Sequence, residues 1–285
     1  MSIRSVAGAV VLLAGLVSCK SEKPAPATDN ASAPAPAAAP TMLTITATDF
    51  AFDVPAQVPA GIVTIHLVNN GKEVHQAQLI RFEDGKTMAD FTEAMKQQGP
   101  PPTWVKFVGG PNAVVPGGSV DGSVALSQGN YVVLCFIPSP DMKSHVSKGM
   151  IRPFEVTAQA GAADHLSGQT DTITVTEYAF TQTPTLTPGH HTILVRNAGA
   201  QDHEVVLIKL PPGVTVEAFA KWTDTMKGEP PGMPLGGVTA LSSGESADFT
   251  VDLTPGDYGM ICFVPDAKDG KMHYQHGMMT QFKVG

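Results

Sequence analysis

The chain carries one set of four residues twice. A His is followed by a Cys, and then by a His and a Met, first as His75, Cys135, His145 and Met150 and again as His203, Cys262, His273 and Met278. The histidines and methionines are offset by 128 residues (203 − 75, 273 − 145, 278 − 150) and the cysteines by 127 (262 − 135). Whatever fold the first copy adopts, the second must adopt as well. At 285 residues the chain has room for two units of ordinary domain size, each with its own core.

The segments between these residues read as strands. Ile45 to Phe52 matches Ile173 to Phe180, and both alternate branched with polar residues as a half-buried strand does. Pro59-Ala60-Gly61 and Thr187-Pro188-Gly189 are turns that lead into strands over Ile62 to Val68 and His190 to Arg196. Asn69-Asn70-Gly71 and Asn197-Ala198-Gly199 end those strands, and the first His of each set follows four residues after the glycine. Further strands are expected over Gln76 to Arg81, Glu204 to Lys209, Tyr131 to Phe136 and Tyr258 to Phe263, with closing strands over Arg152 to Thr157 and Met279 to Val284. Each copy also holds one amphipathic stretch, Met88 to Gln97 and Val216 to Met226, with Thr87 and Thr215 placed to cap it. With 15% charged residues, 28 Gly and 24 Pro, the chain is expected to be all-β, with a short helix inserted in each repeat.

The four-residue set has a chemistry of its own. Two imidazoles, a thiolate and a thioether suit a trigonal copper ion with a weak axial sulfur. Singly, each residue is an ordinary one: a Cys ending an apolar strand or a Met before a last strand is usually packing. Their joint recurrence in order points to a metal. His66, His165, His190 and His191 fall outside the pattern, while His276, three residues past His273, is an alternative donor in the second copy. Glu73 and Asp202 read as loop charges, and Trp104 and Trp222 as packing residues.

The Asn-rich turn before the first His, the Tyr-x-x-x-Cys strand and the His-x-x-x-x-Met that precedes the last strand make each repeat resemble a cupredoxin. The resemblance implies two tandem Greek-key β-sandwich domains, 42–157 and 170–285, joined by an Ala/Gly-rich linker at 158–169. It implies copper as cofactor, with His75, Cys135, His145 and Met150 at one site and His203, Cys262, His273 and Met278 at the other. One departure stands out. Nine residues separate Cys135 from His145 and ten separate Cys262 from His273, more than in familiar mononuclear sites, although added loop length costs little closure entropy.

The N-terminus reads as a targeting segment. Arg4, an apolar run from Val6 to Val17, and Leu16-Val17-Ser18-Cys19 resemble a bacterial lipoprotein signal over residues 1–18, with Cys19 as the acylated residue. Residues 19–41, rich in Ala and Pro, form a tether. The expected location is the cell envelope, lipid-anchored to the outer membrane and facing the periplasm. Without residues 1–18 the chain has 17 basic and 26 acidic side chains, a net charge of −9 (17 − 26), so no nucleic-acid partner is expected. Cys135 and Cys262, at equivalent places in two repeats, are poorly placed to form a disulfide with each other.

The expected function is one-electron transfer with a redox protein as partner. Copper storage or delivery to an exchange partner is the first alternative, and a metal-free interaction module the second. No His-x-His pair or nucleophile motif is present, and the chain is expected not to be an enzyme.

Overall fold

The computed structural model describes residues 40–97, 99–159 and 165–285. The signal segment, Cys19 and nearly all of the tether lie outside these residues, as does the middle of the linker. The first repeat contains β1 (Thr41–Thr48), β2 (Ala51–Asp53), β3 (Gln57–Pro59), β4 (Gly61–Asn69), β5 (Gln78–Phe82), α1 (Met88–Ala94), β6 (Val105–Gly109), β7 (Ser119–Leu126), β8 (Gly129–Leu134) and β9 (Ile151–Thr157). The second contains β10 (Asp171–Thr176), β11 (Ala179–Thr183), β12 (Gly189–Asn197), β13 (His203–Leu210), α2 (Val216–Thr223), β14 (Met233–Leu241), β15 (Ser246–Leu253), β16 (Gly256–Ile261) and β17 (Met279–Val284).

Period-two alternation builds the inner faces. In β4, Val63, Ile65 and Leu67 are fully buried, while Thr64 and His66 lie on the other face. His66 there bonds Asp121 at 2.6 Å, an ordinary strand–strand contact. The run expected as one strand over Ile45 to Phe52 is broken at Asp49-Phe50, where Phe50 has φ 76°, and the chain folds back as β2 on β1. The turn leaves Asp49 at one end of the sandwich. Each repeat is a sandwich of two sheets with crossed-over connections, antiparallel except for β1 beside β4 and β3 beside β9 in the first repeat and β10 beside β12 in the second.

The repeats are joined edge to edge. Strand β7 pairs with its counterpart β15, and β6 with its counterpart β14. Two sheets therefore run through both repeats, one of eight strands ordered β11-β10-β12-β15-β7-β4-β1-β2 and one of nine ordered β17-β16-β13-β14-β6-β5-β8-β9-β3. The described residues form one compact unit, and one apolar core runs across the seam through Val108, Val124, Val238, Leu241 and Ala247. Asn112 crosses the seam too, donating from Nδ2 to the buried Glu204 carboxylate at 3.0 Å.

The two amphipathic stretches form shorter helices than their patterns suggest. In α1, Thr87 accepts from the Asp90 N–H while the Asp90 side chain accepts from the Thr87 N–H, a reciprocal cap, and Phe91 packs on Phe82 with ring centroids 5.2 Å apart. Helix α2 starts at Thr215 and buries Val216, Phe219 and Ala220. Trp104 and Trp222 pack against Phe82 and Phe219 respectively.

Candidate metal centres

Each Cys is placed by the strand before it. Tyr131, fully buried in β8, donates its hydroxyl to the Ser127 carbonyl at 2.9 Å, and Tyr258 in β16 does the same to the Thr254 carbonyl at 2.7 Å. Four residues on, the chain leaves the sheet at Cys135 and Cys262, both free and both without solvent exposure.

The long insertions after them are compact hairpins. Pro138 pairs with Ser144, and Pro265 with Met272, so the chain returns to its starting point. His145 N then donates to the Ile137 carbonyl and Val146 N to that of Cys135, with the same two bonds made by His273 to Val264 and by Tyr274 to Cys262. The His itself opens a single 3-10 turn, His145–Lys148 or His273–His276, closed by Gly149 or Gly277 at φ 101° and 96°. Those left-handed glycines turn the chain so that Met150 N reaches the His145 carbonyl and Cys135 N the Met150 carbonyl. Met150 and Met278 are fully buried beside their cysteines in the core.

The loop that leads to the first His of each set is held by an Asn. Asn69 donates to the carbonyls of Glu73 and Val114, and Asn197 to those of Gln201 and Leu241; each Asn also accepts from the glycine N–H two residues on. The glycine is required by contact. A Cβ on Gly71 would lie 2.6 Å from His75 Nε2 and 2.5 Å from Asp49 Oδ1, and one on Gly199 would lie 2.9 Å from His203 Nε2.

The result is two buried triads, His75/Cys135/His145 and His203/Cys262/His273, with the donor atoms of each within 4.8 Å of one another. In the first, the two Nδ1 atoms are 3.0 Å apart and Cys135 Sγ is 3.3 Å from His145 Nδ1. His75 Nε2 faces Asp49 Oδ1 at 3.1 Å and His145 Nε2 faces Glu73 Oε2 at 2.9 Å. Carboxylates accept only, so each ring keeps its proton on Nε2. Both Nδ1 lone pairs then point at each other beside sulfur, an arrangement that a cation relieves. In the second triad Cys262 Sγ is 3.5 Å from His273 Nδ1, and both His203 nitrogens and His273 Nε2 are buried with no hydrogen-bond partner among the described residues. Unpartnered buried nitrogens are costly unless something else engages them.

Electrostatics agree. Burial pushes the Cys135 thiol up to about 12 and raises Cys262 further with help from the Glu204 carboxylate. Burial lowers His75 and His273, and takes His203 down to about 4, the neighbouring His273 contributing. Neutral imidazoles and a thiol that needs a cation to ionise fit a soft, imidazole-accepting ion, and copper fits the donor set.

His276 is not brought to Cys262. It bonds Asp269 at 3.1 Å and groups with Asp269 and Asp266. The carboxylate partners of the imidazoles are not legible in the sequence. Glu73 is not a free loop charge but bonds His145, and its positional counterpart is Gln201 (73 + 128), not Asp202. Asp49 and Glu177, also 128 apart, were visible as a matched acidic pair at the end of the first strand of each repeat.

No family model matches the chain, and no curated protein matches it. Solved structures do. The reduced auracyanin of Roseiflexus castenholzii is 25% identical over 42% of this chain and 99% of its own, with a TM-score of 0.28. A blue copper oxidase from Nitrosomonas europaea is 15% identical over 86% of this chain and 85% of its own, with a TM-score of 0.25, and a further multicopper oxidase is 13% identical over 86% and 88%, with a TM-score of 0.24. The fold is cupredoxin-like in both repeats. The expectation that the chain is not an enzyme does not stand: matches to multicopper oxidases extend over 81–87% of it, through both repeats. Absent motifs cannot exclude an activity, because one fold hosts both carriers and enzymes.

Proposed function

We propose that the chain is an exported copper protein that carries single electrons through two thiolate sites of blue-copper type. The observation that carries this reading is the pair of buried His/Cys/His triads, each backed by a buried Met. Copper bound there would supply a one-electron couple. The protein's own part is to hold the donors still and dry. All six triad residues have no solvent exposure, and each Cys, the second His and the Met are locked together by backbone hydrogen bonds across the loop. Donors fixed in this way cannot rearrange much between oxidation states, which favours electron transfer over ready release of the ion.

The test is reversible redox cycling. The copper-loaded chain should take up and give back one electron per copper while a high-affinity chelator in the medium removes none. Loss of copper to the chelator on reduction would favour storage and delivery instead. Membrane attachment is a separate part of the proposal and rests on Leu16-Val17-Ser18-Cys19. Acylation at Cys19 would tether the sandwich pair to the outer membrane within reach of a periplasmic redox partner. A Cys19→Ser chain should fractionate as freely soluble; if the unaltered chain does so too, the anchor is wrong.

A further inference from the structure

The two centres share a fold but not their outer surroundings. In the first, both imidazoles donate through Nε2 to a carboxylate, Asp49 at 3.1 Å and Glu73 at 2.9 Å. In the second, the nearest carboxylate oxygens stand 3.9 Å from each ring, Glu177 from His203 and Asp266 from His273. The causes are identifiable. Gln201 occupies the place of Glu73, and its side chain is used up on Asp266 Oδ2 at 2.9 Å and the Ala267 N–H at 2.7 Å. Asp266, at the place of Ser139 (266 − 127), spends its oxygens on the Tyr178 hydroxyl at 2.5 Å, on Gln201 and on the Lys268 N–H. Tyr178 in turn stands where the first repeat has Phe50 (178 − 128). Three paired replacements thus leave His273 without the carboxylate partner that His145 has in Glu73, while Glu177 keeps the loop N–H partners of Asp49 but stands further from its ring.

A carboxylate that accepts the outer N–H of a metal-bound imidazole makes that ring a stronger donor, and a stronger donor favours the more highly charged ion. Resting on the copper reading above, we propose that Asp49 and Glu73 are positioning residues that set the two centres apart in reduction potential, the first centre holding Cu(II) more firmly and lying below the second. Glu204 works the other way, as a carboxylate beside Cys262 where the first repeat has Gln76. Its oxygens, however, bond the Phe263 N–H and Asn112 rather than a ring.

The experiment is a spectroelectrochemical titration of the copper-loaded chain, with Cys262→Ser and Cys135→Ser chains assigning the first and second waves. Two resolved one-electron waves are expected, the first centre's lower. Glu73→Gln, a change of nearly equal size, should raise the first wave by at least a tenfold change in the oxidation equilibrium, about 59 mV for one electron, and leave the second in place. Importing the first repeat's residues as Gln201→Glu with Asp266→Ser should lower the second wave. Coincident waves, the opposite order, or a first wave unmoved by Glu73→Gln would overturn the proposal. A readout on the metal-free chain separates this from failure of the copper reading. Imidazole 15N shifts should place the proton of His145 on Nε2, and Glu73→Gln should shift that signal. An unchanged signal refutes the positioning role whatever the metal does. Absence of any thiolate-to-copper band would remove the copper reading and the proposal with it.

Discussion

At the scale of single residues, burial decides the chemistry. A thiol pushed up to about 12 is protonated in the metal-free protein at neutral pH, whereas a metal binds its thiolate, so copper uptake at Cys135 must release a proton. The imidazoles add no opposing term near neutrality where burial has lowered them, as at His75 and His203. Apparent copper affinity should therefore rise with pH, by about tenfold per unit for one proton per site, and fall as pH drops. Calorimetry in buffers of different ionisation heat counts that proton; a count of zero would mean the thiolate is not a ligand. The glycine before each set is as exacting. Gly71→Ala would drive a methyl into His75 and Asp49, and should weaken copper binding at the first site by about 10–100-fold while sparing the second. The His, Cys and Met positions are legible in the sequence because duplication prints them twice. Glu73 is not, because its contact with His145 spans 72 residues and its counterpart is a glutamine with different partners.

At the scale of elements, local signals foretell existence better than extent. Thr87 and Thr215 do start helices, but both helices end short of their amphipathic patterns, at Ala94 and Thr223. Thr87→Ala removes one side of the reciprocal cap and should cost about 1 kcal/mol, read as a lower urea midpoint with unchanged slope. The insertion between Cys and His is the clearest gap. Its length alone is compatible with His returning to the metal or leaving it. The pairing of Pro138 with Ser144 and of Pro265 with Met272 brings it back, and pairing within so short a hairpin leaves no periodic pattern to read. The edge pairing of β6 with β14 and β7 with β15 is equally invisible, because an edge strand and a central one carry the same alternation.

At the scale of the whole molecule, duplication has produced a pair of sandwiches that share both sheets. Residues 42–157 and 170–285, made separately, should each show β-type circular dichroism. Each would also expose seam residues, Val108 and Val124 in one and Val238, Leu241 and Ala247 in the other, so self-association is expected; light scattering checks it. Asn112→Ala would leave Glu204 buried without its partner across the seam and should destabilise the intact chain by about 1–3 kcal/mol in equilibrium unfolding. Both triads are proposed to bind copper through their cysteines, and the visible spectrum of the purified, thiol-reduced chain titrated with Cu(II) reads this out. An intense charge-transfer band that saturates at two copper ions per chain is expected. Cys135→Ser and Cys262→Ser should each remove one site's share, and the double substitution all of it. A colourless chain at saturation, or a band that survives loss of both cysteines, would contradict binding through the cysteines.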